Sequence, residues 1–303
     1  MLRLSAHMNE TFSRTNIADW IPLAGLFALS VIFARPFIPA WGFVFVLSFS
    51  IFFGFKWLTF KRAVSGGVRP GMRRAVGYIF LWVGMDAGRF LDESRRPEIP
   101  GLREWAVAGF KTALGCIIFW LLAREVYQSH ALTGGYVGFT GFLILTFFGV
   151  FHILSLVWRS LGADAGPIMR SPLLATSPSD FWSRRWNLAF RDIDSLFVFR
   201  PAARRRGLAP GILAAFLFSG ILHDLVTSFP VNAWYGAPIL YFMIQAAAVI
   251  LEKSRTGIGI GLASGPRARA FAIAVVAGPV LLLFHPPAIE HAFIPFMRAA
   301  GAL

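Results

Sequence analysis

Seven stretches of apolar sequence, nearly free of charge, divide this chain at roughly 20–34, 37–55, 105–123, 135–158, 208–229, 233–251 and 269–285. About 20 consecutive apolar residues match the thickness of a bilayer's hydrocarbon core. Inside that core every backbone N–H and C=O must be satisfied within the protein, which leaves helices as the solution for separate runs of this length. The chain is therefore expected to be all-α: a polytopic transmembrane helix bundle of about seven spans, formed by one domain over residues 1–303. Composition agrees, since 56% of residues are hydrophobic and only 15% are charged, against about a quarter charged in soluble domains.

The net charge is +14. In a soluble protein that excess would suggest nucleic acid. Here the basic residues cluster between the apolar runs, where they set orientation and meet anionic lipid, so membrane lipids are expected as partners and nucleic acid is not. Cys116 is the only cysteine, which excludes an internal disulfide and argues against a cysteine-based metal site. Arg3 and Arg14 precede the run Trp20–Ala34, but a second run follows at once and no A-x-A site intervenes. An uncleaved first helix is the expectation. Arginine far outnumbers lysine, a compositional hint of a high-GC bacterial genome and so of a bacterial inner membrane.

Charge also sets topology. Segments 56–74, 159–207 and 252–269 are strongly basic, and the positive-inside rule places all three, with the N-terminus, in the cytoplasm. Counting spans back from 159–207 puts 92–104 there too. The remaining apolar stretch, Ala75–Phe90, contains Asp86 and Arg89. Parity leaves no room for it to cross, so a re-entrant or interfacial helix is expected. Asp86 either marks a feature near an acyl entrance or simply pairs with Arg89.

The long segment 159–207 is rich in tryptophan and arginine. Ser177-Pro178-Ser179-Asp180 is a helix-start signal, with Ser at the N-cap, Pro at N1 and an acid at N3. In the helix that follows, Trp182, Arg185, Trp186 and Ala189 fall on one face. Tryptophan with arginine suits a membrane–water boundary, so this cytoplasmic amphipathic segment is expected to lie along the interface.

The run 208–229 contains His223 and, beside it, Asp224. An ionisable pair inside a membrane helix is a functional-site hypothesis. Ser219 lies four residues earlier on the same face, while Asp224 points about 100° away, toward a neighbouring helix or polar cavity. A neutral imidazole can take a proton from an alcohol. The alternative is a packing histidine bonded to a nearby carbonyl or hydroxyl.

The segment Phe181-Trp182-Ser183-Arg184-Arg185-Trp186-Asn187, followed by Ser219-Gly220-Ile221-Leu222-His223-Asp224, resembles the membrane-bound O-acyltransferases. It looks closest to the wax synthase-like branch, where FWxRRW(H/N) precedes SGxxH(E/D); Asp224 stands where glutamate is common. The resemblance implies acyl transfer from a thioester, usually acyl-CoA, to the hydroxyl of a lipophilic alcohol inside a membrane tunnel. It implies His223 as the catalytic base and Asn187 as its polar partner, holding the thioester carbonyl or the acceptor. Acyl-CoA is then a co-substrate, with no bound cofactor and no metal.

Further positions are candidates for substrate contact. Trp182 and Trp186 belong to the signature segment. Arg184 and Arg185 could pair with CoA phosphates, since guanidinium matches phosphate geometry, or anchor to lipid headgroups. Gln245 is an uncharged polar group in an apolar run and needs a partner there; it lines the tunnel with Ser219 and Asp224, or joins helices. His152 lacks acidic neighbours and is expected to be structural. No HExxH pattern suggests zinc, and no GxSxG elbow suggests a serine hydrolase. Two other functions fit these residues: short-chain acyl or acetyl transfer to a terpenoid, glycolipid or other natural-product hydroxyl, and a proton-coupled transporter using His223 and Asp224 as a relay.

Overall fold

The structure, a computed structural model, describes residues 16–303; Arg3 and Arg14 lie outside them. The described residues form helices joined by turns and by two longer loops, 92–101 and 161–177. Six are long and apolar enough to cross a membrane: α1 (Ile17–Ala34), α2 (Ala40–Ser65), α5 (Leu102–Ser129), α6 (Ala131–Ser160), α9 (Leu208–Thr227) and α12 (Gly265–Leu283). The seventh expected run forms α10 (Ala237–Lys253), whose 17 residues put it at the short end of the crossing range; the one-turn α11 (Arg255–Gly259) follows it. The chain is an integral membrane protein built as a helical bundle.

The stretch at 75–90 does not form one continuous helix. Helix α3 (72–81) breaks at Trp82, the backbone runs extended, and α4 (Ala87–Leu91) turns back with Asp86 as its N-cap. Neither arm is long enough to span about 30 Å. The two ends of the excursion meet, because the Gly71 N–H donates to Glu93 Oε1 at 3.0 Å. Both Arg89 and Arg95 reach Asp164, at 2.9 and 3.5 Å, just beyond the end of α6. The segment therefore leaves and returns at one end of the bundle. Arg89 pairs with Asp164 through its side chain, and Asp86 accepts from the Arg89 amide instead, at 3.0 Å.

Lys56 pins this excursion from inside. It is fully buried in α2, and its Nζ donates to the Gly84 carbonyl at 2.5 Å while lying 3.7 Å from the centre of the Tyr78 ring. An extended backbone within an apolar bundle needs such a donor for its free carbonyls. Around this point Phe55, Leu58, Tyr78, Trp82, Phe90 and Trp158 form the main core.

Close helix contacts set the frame of the site. Helices α9 and α10 meet at Gly220, where a Cβ would stand 2.8 Å from the Ile239 Cα. Only a residue without a side chain permits that approach. Between α6 and α9, helices α7 (178–185) and α8 (188–206) carry the signature segment. Helix α8 runs antiparallel to α9, with Ala203 against Gly211 and Phe190 stacked on Phe218, ring centres 6.0 Å apart. The last helix, α13 (286–299), closes the bundle against α2 and α6 through Phe293 and Phe296.

Candidate active site

Helix α7 begins as its sequence specifies. Ser177 caps it, accepting from the Asp180 N–H at 3.3 Å, with Pro178 in the first turn. The buried Glu252 carboxylate, at the end of α10, accepts from Ser177 Oγ at 3.1 Å, from the Ser179 N–H at 2.8 Å and from Ser179 Oγ. A negative charge at a helix N-terminus is favourable, both for the free N–H groups and for the helix dipole.

The helix is shorter than its hydrophobic spacing suggests. A widened final turn, with the Trp186 N–H donating to the Phe181 carbonyl at 2.9 Å, ends it at Arg185. Asn187 then adopts the left-handed conformation (φ 39°, ψ 63°). The segment 168–170 fixes this turn. Arg170 N–H donates to the Arg185 carbonyl, Leu188 N–H to that of Ile168, and Asn187 N–H to Met169 Sδ at 3.2 Å. The expected common face of Trp182, Arg185, Trp186 and Ala189 is broken here, because Ala189 belongs to α8 and is buried in the core. Trp182 and Trp186 turn inward instead of lying along an interface. Trp182 packs among Phe216, Tyr241 and Phe242 and donates its Nε1–H to Gln245 Oε1 at 3.2 Å.

These turns create one large cavity of about 480 Å³, inside the size range of small-molecule sites. Aromatic side chains from α2, α6 and α13 make its apolar wall, including Trp41, Phe45, Phe142 and Phe296. Trp182, Trp186, Asn187, Ser219 and His223 all line it. Two motifs separated by residues 188–218 of the sequence thus face one space.

His223 is oriented by its own helix. Its Nδ1 lies 2.8 Å from the Ser219 carbonyl, and a carbonyl can only accept, so Nδ1 carries the proton. That assigns the tautomer whose Nε2 holds a lone pair. Among the described residues Nε2 has no partner, and the ring packs on Phe242 with centres 4.7 Å apart. Asn187 is fixed in a comparable way. Its Oδ1 accepts from the Phe190 N–H at 3.2 Å as the N-cap of α8, and among the described residues its two amide hydrogens have no acceptor, leaving them as donors beside the cavity. A neutral imidazole with an open lone pair and an amide with open donors can remove a proton and hold a carbonyl oxygen.

Four other sequence candidates stand apart from the cavity lining. Asp224 Oδ1 accepts from the Gly236 N–H at 2.9 Å and closes the turn between α9 and α10. Gln245 is fully buried, bridging Trp182 and the Val275 carbonyl, to which it donates at 2.6 Å. Arg184 and Arg185 both pair with the buried Asp180, at 2.8 and 2.6 Å. Burial raises the Asp180 carboxyl, but Arg185, the Thr176 N–H and Arg184 outweigh it and hold that group below the usual carboxylate range. His285 is buried beside the turn between α9 and α10; its Nδ1 accepts from the Ala288 N–H and its Nε2–H donates to Ser228 Oγ at 3.1 Å.

The two charged residues of the cavity lining, Arg191 and Asp194, carry no sequence motif. Arg191 and Asp194 follow Asn187 and Phe190 at i+4 and i+7, so all four share one face of α8 and line the cavity. Glu252 and Met169, which hold the signature turn, likewise belong to no motif.

Residues 165–244 match the model of the membrane bound O-acyl transferase family. The chain is 33% identical over 111 residues to a long-chain-alcohol O-fatty-acyltransferase of Simmondsia chinensis, covering 32% of each chain. It is 37% identical over 121 residues to the probable long-chain-alcohol O-fatty-acyltransferase 2 of Arabidopsis thaliana, covering 36% of this chain and 33% of the plant protein. It is also 33% identical over 140 residues to the probable enzyme 3 of the same plant, covering 42% and 40%. The matched region thus spans about a third of the length of these relatives. By its segment 165–244, which carries Trp182, Trp186, Asn187, Ser219 and His223 of the cavity lining, the chain is similar to the membrane bound O-acyl transferase family and, within it, to these long-chain-alcohol acyltransferases.

Proposed function

We propose that this protein transfers a fatty acyl group from acyl-CoA to the hydroxyl of a lipophilic alcohol, forming a lipid ester. His223 Nε2 takes the hydroxyl proton as the alcohol oxygen attacks the thioester carbonyl. The Asn187 amide donates to the oxygen on which charge develops. The C–S bond then breaks, and the protonated imidazole returns its proton to the leaving thiolate, regenerating neutral His223. No acyl-enzyme is required, and Cys116 is not among the cavity residues.

The observation that carries this reading is the tautomer of His223 at an aromatic-walled cavity, with its base nitrogen unengaged. The names of the plant relatives support the substrate class. The apolar wall supports a long-chain rather than an acetyl substrate. Commitment of Asp224 to the Gly236 amide removes the second member of a His–Asp proton relay, which weighs against the transporter alternative. With the basic loops in the cytoplasm, the signature helices meet the donor on the side where CoA is found.

Purified protein given radiolabelled acyl-CoA and a long-chain alcohol is expected to form ester. His223→Ala is expected to lose about a hundredfold to ten-thousandfold of that activity. Full turnover by this variant would falsify the mechanism.

A further inference from the structure

Asp194 is the unexplained polar group of the cavity. It sits two turns along α8 from Asn187, on the same cavity-lining face. Its neighbours point elsewhere: Ile193 enters the core and Asp192 pairs with Arg191 at 2.7 Å. Asp194 Oδ1 is buried with no hydrogen-bond partner among the described residues. Buried carboxyl oxygens are nearly always satisfied, so an orphan requires a cause. Burial pushes the carboxyl up to about 7. Near neutral pH the group therefore spends much of its time as an uncharged acid, which both donates and accepts.

The chemistry of what would satisfy this group is narrow. An apolar chain offers nothing to it. A thioester carbonyl can accept from the acid but has no proton of its own to present to a base. A hydroxyl both donates and accepts, so it alone can bind the acid and still present its own proton to a base. We propose that the Asp194 carboxyl is the specificity-determining contact that holds the acceptor alcohol by its hydroxyl within reach of His223. The acid donates to the alcohol oxygen, and the alcohol O–H donates to His223 Nε2. No atom is transferred at Asp194, and its contribution is to select and place a hydroxyl in a cavity whose wall would hold any hydrocarbon.

This inference rests on the acyltransferase reading for the identity of the second substrate, but it is testable without transfer. Trp41, Trp182 and Trp186 line the cavity, so tryptophan fluorescence of the detergent-solubilised protein reports occupancy. Binding of 1-hexadecanol and of hexadecane is measured, with no acyl donor, for the wild type, Asp194→Leu and Asp194→Asn. The wild type is expected to prefer the alcohol roughly tenfold. Leu, close in size and free of a buried polar group, should abolish the preference while leaving alkane binding unchanged; Asn, which keeps a donor, should restore most of it. A structural role would move both ligands together. Equal preference in the wild type and the Leu variant, or no preference in the wild type, overturns the inference even if ester is formed. Alcohol preference lost in the Leu variant, in a protein that makes no ester, sustains it and sinks the acyltransferase reading instead.

Discussion

Removing Glu252 should cripple a site that this residue never touches. Its carboxylate accepts three hydrogen bonds at the start of α7, from Ser177 Oγ, the Ser179 N–H and Ser179 Oγ, and it is buried. Glu252→Ala leaves those donors unpaired. Each unsatisfied buried group costs about 1–3 kcal/mol. Two of the three are hydroxyls that can turn toward each other, being 3.3 Å apart already, and loss of the buried charge recovers some desolvation. A net cost of about 2–4 kcal/mol remains, concentrated on the helix that sets Trp182, Trp186 and Asn187. A displacement of about 1 Å there is worth roughly a hundredfold in rate. Glu252→Gln keeps an acceptor for the Ser179 N–H and offers a donor that the serine hydroxyls can accept, so it should lose less than about tenfold. The assay is ester formation from radiolabelled acyl-CoA, paired with thermal unfolding in detergent. An Ala variant with wild-type rate and melting temperature would show that α7 is held by something else. A Gln variant as impaired as Ala would show that charge at the helix start, rather than hydrogen-bond geometry, is what counts.

Asn187→Gly should keep the left-handed turn and lose the amide, whereas Asn187→Ala should lose both the amide and about 1–2 kcal/mol of backbone and capping stability; equal melting temperatures with equal activities would contradict this division. Gly220→Leu places a side chain where a Cβ already meets the Ile239 backbone, and it should separate α9 from α10, measured as lost thermal stability together with lost ester formation. Stability should also depend on pH in a particular direction. Burial raises Asp194 to about 7 and Asp192 to about 6, the latter against the pull of Arg191. A carboxyl raised on folding favours the folded state fully below its unfolded value, and that benefit disappears as pH rises through the folded value. Melting temperature should therefore fall between about pH 4 and 7, and Asp194→Asn should flatten the upper part of that slope. A melting temperature that rises across the interval would refute the assignment.

The bundle was readable because membrane burial demands long charge-free helices, and the basic loops gave the parity that kept 75–90 from crossing. His223 and Asn187 were readable because their motifs lie within contiguous sequence. What pattern could not show was the direction in which side chains turn. The spacing of Trp182 and Trp186 suited a surface helix, but a widened turn and a left-handed residue, invisible to a 3.6-residue period, rotate both into the cavity. Arg184 and Arg185 were plausible phosphate ligands until a buried aspartate one turn away claimed them. Asp194 was one acid in a basic loop; only the antiparallel packing of α8 on α9 brings it beside His223's cavity. Glu252 carries no sequence signal, because its partners lie more than 70 residues away in sequence.

The left-handed backbone at residue 187 has a consequence for how this site can vary. Among residues with side chains, asparagine, aspartate and histidine are the ones that enter that region at modest cost, and all three carry hydrogen-bonding groups. Selection for a foldable turn therefore filters the chemical alphabet at the cavity wall before any selection for activity acts. Drift at this position is steered toward polar residues by conformation alone. A library randomised here should return functional clones from a handful of amino acids, and its rejected members should fail mostly as misfolded protein.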